Sequence, residues 1–349
     1  MPFLEGSIES IKAQTFTDWR LLILDHGSTD GSADLARQYA ETDSRIQFKQ
    51  VADAVGLAGL LNDGLANCDC DHVLRQDADD ISLPRRMEIT VKSFRAKPSL
   101  LLVGGAAIVI DHLGKNTGYM SGPSSHPAIT AAEFFYNPVA HPTVAMNFPA
   151  MRRLGVAYGE DMLKVLPESP TITQLAEDYF LFGQMAFLGP CINIAHPLIK
   201  YRIHERSVST SRRAEQTECT LEISRYLARS FCAMKDVEAF DPTPFCSHGE
   251  YVFDCGQSDY GREFEKMADS LRRGLGNSPE LERELAFRRT LANRKSLRMS
   301  GRYFRFAHKH GIRGRERRII RNWVLRKLRK KYVFKVEGFY RQKGRPDGT

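Results

Sequence analysis

Hydrophobic positions along the first 110 residues alternate between a helical and an extended period. Leu4, Ile8 and Ile11 recur at i, i+4 and i+7, which marks one face of a helix. Trp19-Arg20-Leu21-Leu22-Ile23-Leu24 reads as a buried strand. It ends in the polar, glycine-bearing turn 25–32, suited to capping a helix that carries Leu35 and Tyr39. Ile46-Gln47-Phe48 is a short extended piece, Leu57, Leu60, Leu61 and Leu65 predict another helix, and His72-Val73-Leu74 a short strand. Ser82 and Pro84 open a further helix, proline being suited to a first turn. The apolar run 100–110 closes the series as a strand. Alternation of this kind predicts an α/β fold, a mostly parallel sheet flanked by helices.

Residues 111–210 are less regular. They hold a Gly/Pro/Ser-rich loop at 121–127, a short apolar piece at 143–146, prolines at 167 and 170, and an amphipathic helix over 175–187 with Glu177 and Asp178 at its start. Residues 211–216 have the composition of a linker, and beyond them lie helix-forming stretches interrupted by a turn-rich loop at 241–261. This divides the chain into a domain over 1–210, with halves 1–110 and 111–210, and a mainly helical extension over 211–349.

Composition narrows the classes. A chain of 349 residues, 42% apolar and 26% charged, is long enough for two ordinary globular domains. The run 100–110 spans 11 residues and includes Gly104 and Gly105, too short to cross a bilayer. Seven cysteines without a CxxC unit signal neither a zinc site nor a disulfide framework and fit a reducing cytoplasm. The net charge of +8 hides an asymmetry: residues 281–349 carry +18 and the rest −10. The basic charge therefore belongs to the C-terminal segment, which has its own surface or partner.

Candidate chemistry centres on Arg75-Gln76-Asp77-Ala78-Asp79-Asp80, three carboxylates in four positions just after a predicted strand. Carboxylates this close repel one another, and hard divalent cations such as Mg or Mn take oxygen ligands and bridge to phosphate. Asp69-Cys70-Asp71 shows the same spacing but precedes the strand, whereas open α/β sheets bind ligands beyond the carboxyl ends of their strands. The plain alternative is a solvated acidic turn.

Seven ordered blocks over 1–210 resemble the family 2 glycosyltransferases. They are Ser7-Ile8-Glu9-Ser10-Ile11 with Gln14-Thr15; the turn 25–32; Gly56-Leu57-Ala58 with Asn62; Asp77-Ala78-Asp79-Asp80 with Pro84-Arg85-Arg86; Asn137 with His141-Pro142-Thr143-Val144; Glu177-Asp178-Tyr179; and Tyr201-Arg202-Ile203-His204 with Ser207 and Ser209. The resemblance implies a GT-A fold, a Rossmann-like sheet that binds a nucleotide-sugar donor, a UDP-sugar first among them, followed by a half that binds a saccharide or lipid-linked acceptor. It implies Asp77 and Asp79 as the metal and diphosphate motif, Asp178 as general base, and Asp25, His26 and Asn62 on the nucleotide side. Arg202 would be a surface pair or a bidentate grip on phosphate, and His204 would be a third metal ligand, a phosphate contact or simply a partly buried histidine. His141 would be structural or touch the acceptor. One direct displacement would invert the anomeric centre.

The sequence departs from that pattern twice. The family's opening strand and its Tyr-Asn-like turn are not seen ahead of Phe3, which leaves open an upstream start or a truncated, non-catalytic copy that binds nucleotide or scaffolds at a membrane. His26 stands where the family carries a second carboxylate, and a neutral imidazole accepts a hydrogen bond through one nitrogen only. A Gln-x-x-Arg-Trp signature of processive synthases is absent after Asp178, so transfer of a single residue is expected, while a nucleotidyltransferase would need a basic Gly-rich loop that is not there. In the basic segment, 317–331 places Ile319, Ile320, Trp323 and Val324 on one helical face, with Lys327 and Lys330 intruding. That face could lie on an anionic membrane surface, giving a peripheral position on the inner leaflet, or pack inward with its charges solvated. No nucleic-acid-binding module accompanies the charge.

Overall fold

The computed structural model describes residues 3–204, 212–248, 251–253 and 255–328. Met1, Pro2, Ser207, Ser209, part of the expected linker and residues 329–331 lie outside the described residues. The chain divides into two compact units: Met1–Thr130 with Asn137–Cys219, and Ala131–Tyr136 with Thr220–Thr349.

The first unit runs α1 (Leu4–Lys12), β1 (Leu21–Asp25), α2 (Ser32–Thr42), β2 (Ile46–Gln50), α3 (Gly56–Ala66), β3 (His72–Leu74), β4 (Ile81–Ser82), α4 (Arg86–Ala96), β5 (Leu102–Ile110) and β6 (Asn116–Met120). It continues through α5 (His126–Glu133), β7 (Ala145–Asn147), α6 (Phe148–Leu154), α7 (Glu177–Leu188) and β8 (Cys191–Arg202). β1 and β2 form a parallel pair, and the main sheet has the order β3-β7-β5-β8-β4 with β6 beside β5.

The α/β class and the helix-flanked sheet are as expected; the mostly parallel pairing is not. In the main sheet only β5·β8 is parallel, while β3·β7, β5·β7, β4·β8 and β5·β6 are antiparallel. β4 and β7, of two and three residues, are too short to show a hydrophobic period, and they supply three of those antiparallel pairings.

β5 sits at the centre because its run is apolar on both faces: Leu102, Val103 and Ala107 are fully buried. Its glycines allow close approach. A Cβ on Gly104 would lie 2.3 Å from Asn193 Oδ1, and one on Gly105 2.4 Å from Leu198 Cδ1. α7 differs from expectation in being buried nearly all round, with Tyr179, Phe180, Leu181 and Phe182 each at most 1% exposed, so it is a core helix rather than an amphipathic one. Its polar Gln184 is satisfied inside, donating to Glu160 O and Phe180 O and accepting from Met162 N. The helix expected at Ser82 starts instead at Arg86, because Ser82 pairs with β8 and Pro84 stands in the connecting turn.

The second unit contains α8 (Arg213–Lys235), the short strands β9 (Ser247–His248) and β10 (Tyr251–Val252), α9 (Gly261–Leu275), α10 (Pro279–Leu291), α11 (Ser296–His310) and α12 (Gly314–Leu328). Residues 213–216, expected as linker, are the first turn of α8. The apolar face of α12 is not available to a membrane. Ile319, Ile320 and Trp323 are at most 5% exposed and pack with Phe287, Leu291, Met299 and Phe306. Burial of that face inside the unit removes the anchor that a membrane-surface role for 317–331 required. No helix among the described residues is long and apolar enough to cross a membrane.

Candidate active site

The acidic turn between β3 and β4 is held from below by α1. Ser7 Oγ donates to Asp77 O at 3.0 Å, Gln76 Nε2 donates to Ser7 Oγ and Asp80 O, and Ser82 N donates to Ser10 Oγ. Gln14 ties the far side, donating to Leu83 O at 2.8 Å and accepting from Met87 N. Arg86, 1% exposed, donates to Gln76 Oε1, Ser82 Oγ and Arg75 O. The serines and glutamine of the first sequence block thus explain themselves as supports of the turn.

On that scaffold Asp77, Asp79 and Asp80 offer carboxylate oxygens that all lie within 4.8 Å of one another. Asp80 is fully buried. Its Oδ1 accepts from Arg202 N at 2.8 Å, and its Oδ2 has no hydrogen-bond partner. Burial, reinforced by the charge of Asp77, pushes its pKa up to about 8. Asp79 Oδ2 is 3.0 Å from His204 Nε2, and Asp77 is ion-paired with Arg75. An all-oxygen set with an orphaned buried oxygen fits a hard divalent cation, and Asp77 and Asp79, each about a third exposed, are the reachable members.

Arg202 is placed differently from the phosphate grip that the resemblance implies. It is 7% exposed, donates from Nε to Asp79 O at 2.9 Å and from Nη1 to Asp111 O at 3.0 Å, and lies 4.3 Å from the Phe3 ring centre. In this arrangement it fastens β8 to the acidic turn.

A second carboxylate pair opens α7. Asp178, half-buried, accepts at Oδ2 from Asn137 Nδ2 at 2.9 Å and at Oδ1 from Tyr179 N at 2.8 Å. Burial raises its pKa and that of Glu177, and each lies within the field of the Asp77 carboxylate. Glu177 Oε1 is 3.8 Å from His141 Nδ1, and His141 Nε2 is 3.0 Å from the Tyr158 hydroxyl. Burial, with the nearby Arg75 guanidinium, holds the His141 pKa well below its ordinary value, so this imidazole is neutral. Arg75 therefore acts on both carboxylate sets: paired to Asp77, it also draws the pKa values of Glu177 and Asp178 downward against burial.

The remaining expected residues face other partners. Asn62 clamps Tyr158, donating to its carbonyl at 2.9 Å and accepting from its amide at 2.8 Å. Asp25 shapes the turn after β1, accepting from Gly27 N, Ser28 N and Gln50 Nε2; burial raises its pKa, but these donors win and the net shift is downward. Exposed His26 makes a 2.9 Å contact from Nε2 to Ala54 O, which commits that nitrogen as a donor and leaves Nδ1 as the acceptor. The structure so brings together Asp77, Asp79, Arg202 and His204, sets Asp178 within electrostatic reach of Asp77, and gives Asp25, His26 and Asn62 separate anchorages. Sequence reasoning missed Arg75 and Tyr158. Arg75 stood beside the acidic motif as a visible cation, whereas nothing in the sequence signalled Tyr158.

Residues 2–154 match the family described as Glycosyl transferase family 2. The chain is 36% identical over 152 residues to the putative glycosyltransferase EpsE of Bacillus subtilis (strain 168), a match covering 43% of this chain and 54% of that protein. It is 27% identical over 247 residues to the O-antigen biosynthesis glycosyltransferase WbnJ of Escherichia coli, covering 68% of this chain and 87% of that protein. Among solved structures it is similar in fold to S. aureus TarS 1-349 in complex with UDP, at a TM-score of 0.50 and 13% identity, over 95% of this chain and 89% of that one.

Proposed function

We propose, from the match of residues 2–154 to the family described as Glycosyl transferase family 2, that the chain transfers a single sugar, with inversion, from a nucleotide-sugar donor to a hydroxyl of a saccharide or lipid-linked acceptor. The observation that carries this reading is the meeting of two carboxylate sets around Arg75: Asp77, Asp79 and Asp80 on one side, Glu177 and Asp178 on the other.

In this reading Asp77 and Asp79, with His204 beside Asp79, hold Mn or Mg. The cation, when bound, offsets charge on the departing diphosphate. Asp178 takes the proton of the incoming hydroxyl. Its raised pKa makes it a stronger base than an exposed aspartate, and the Asn137 amide and the Tyr179 backbone hold the carboxylate in place. Neutral His141 and Tyr158, pinned by Asn62, wall the space behind Glu177. Asp25 and His26 lie on the nucleotide side. His26 offers the acceptor Nδ1 to a base imide, and a uridine donor is the first to test, UDP being what the TarS structure contains. Seven scattered cysteines without a CxxC unit suit a reducing, cytoplasmic setting.

Calorimetric titration of UDP, GDP and dTDP into the chain, with and without Mn, tests the reading. Metal-dependent binding of one nucleotide, lost in Asp79→Asn, is the expected result. Absence of binding by the folded chain would favour the rival, a non-catalytic scaffold.

A further inference from the structure

The second unit presents a helical face that its own core does not use. Along α11 the exposed positions recur at 297–298, 301, 304–305 and 308–309, the spacing of a single face. Leu297 is 91% exposed and Phe304 69%, whereas Met299, Tyr303 and Phe306 on the opposite side are buried in the unit's core. The two apolar side chains stand seven residues, about 10 Å, apart along the axis. Arg298, Arg305 and Lys309 flank them on one side, and α11 contains no Asp or Glu. Arg298 and Arg305 take part in no salt bridge among the described residues, and Ile312, two residues past the helix end, is 58% exposed.

We propose that this face of α11 docks on an anionic lipid bilayer. Leu297 and Phe304 enter the boundary between headgroups and acyl chains, and Arg298, Arg305 and Lys309 meet the headgroup phosphates. Two observations select this occupant. A large aliphatic and an aromatic side chain left in water beside unpaired cations match the interface of a membrane, where both kinds of group are satisfied together. The charge complementarity is strong, because residues 281–349 carry +18 against −10 for the rest of the chain, so the potential favours approach with this segment forward. Nucleic acid would use the cations but leave Leu297 in water. The surface is the opposite of the one the sequence suggested: α12, whose apolar face is buried, lends only charge. The inference goes beyond the transferase reading and stands independently of it.

The test is co-sedimentation of the full chain with vesicles of equal phosphatidylglycerol and phosphatidylcholine, against vesicles of phosphatidylcholine alone. Binding only to the anionic vesicles is expected. The pair Leu297→Glu with Phe304→Glu should weaken it at least about tenfold, and Arg298→Gln with Arg305→Gln about fivefold per charge removed. All these positions are exposed, so melting temperatures should not move, which separates lost binding from lost folding. Unchanged vesicle binding by both pairs, equal binding to neutral vesicles, or no binding by the parent chain would each overturn the proposal.

Discussion

Three arginines of the second unit are matched, whereas the acidic turn of the first leaves a buried oxygen without a donor. In the second unit Arg288, fully buried, is paired with Glu284 and stacked 4.5 Å from Phe135, and Arg283 grips Glu316 through both terminal nitrogens. Arg315 lies 3.5 Å from the Tyr136 ring centre. Each cation has its carboxylate or its ring, so the charges serve architecture. In the first unit five carboxylates gather around Arg75, which is ion-paired with Asp77, while the side chains of Arg86 and Arg202 donate to backbone carbonyls and neutral side chains, and a buried oxygen of Asp80 is left without a donor. Matched buried charge reads as structure; unmatched negative charge reads as a site awaiting a cation.

The sharpest way to break that contrast is to neutralise one charge on each side. Asp178→Asn should cut turnover by about 10²–10⁴ while donor binding and melting temperature persist; a variant with normal turnover would remove Asp178 from the chemistry. Glu284→Gln should do the reverse. It strands a buried guanidinium and costs about 3–5 kcal/mol of stability in denaturant titration, leaving nucleotide affinity intact at temperatures where the variant is folded.

A smaller effect is expected from Asn62→Ala, which leaves both polar groups of the Tyr158 backbone unpaired at a cost of about 1–3 kcal/mol. The smallest concerns pH. His141 titrates well below its ordinary 6.5 in the folded chain, so folding is favoured above that pH and loses this contribution as pH falls. Glu177, shifted upward, works in the opposite sense between about 4.5 and 8, so the quantity to measure is the difference between parent and variant. His141→Gln should show a shallower fall in melting temperature than the parent between about pH 6.5 and 5.

What could be read from the sequence follows what has a period or a spacing. The face of α1 and the limits of β3, His72–Leu74, were legible, and so was the acidic turn, because its three carboxylates stand together in sequence. β8 was not legible as a strand: Asn193, His196 and Pro197 interrupt its pattern, and its register against β5 shifts around Ala106. The 175–187 segment signalled a helix but read as amphipathic, because its polar Glu177, Asp178 and Gln184 gave no sign of the buried partners that let the helix sit in the core. The bonds of Arg202 to the backbone carbonyls of Asp79 and Asp111 were not legible, because backbone partners are invisible in a side-chain pattern. The same limit hid Asn62, whose amide is occupied by the Tyr158 backbone. For α12, amphipathicity was legible but its destination was not, because a core and a membrane ask for the same apolar face.

The most direct test of the unmatched-charge account is calorimetric titration of Mn alone into the parent chain, Asp79→Asn and Glu284→Gln. The account predicts one Mn site in the parent, its loss in Asp79→Asn and its retention in Glu284→Gln. Mn binding that survives Asp79→Asn unchanged, or a folded parent chain that binds no Mn, would contradict it.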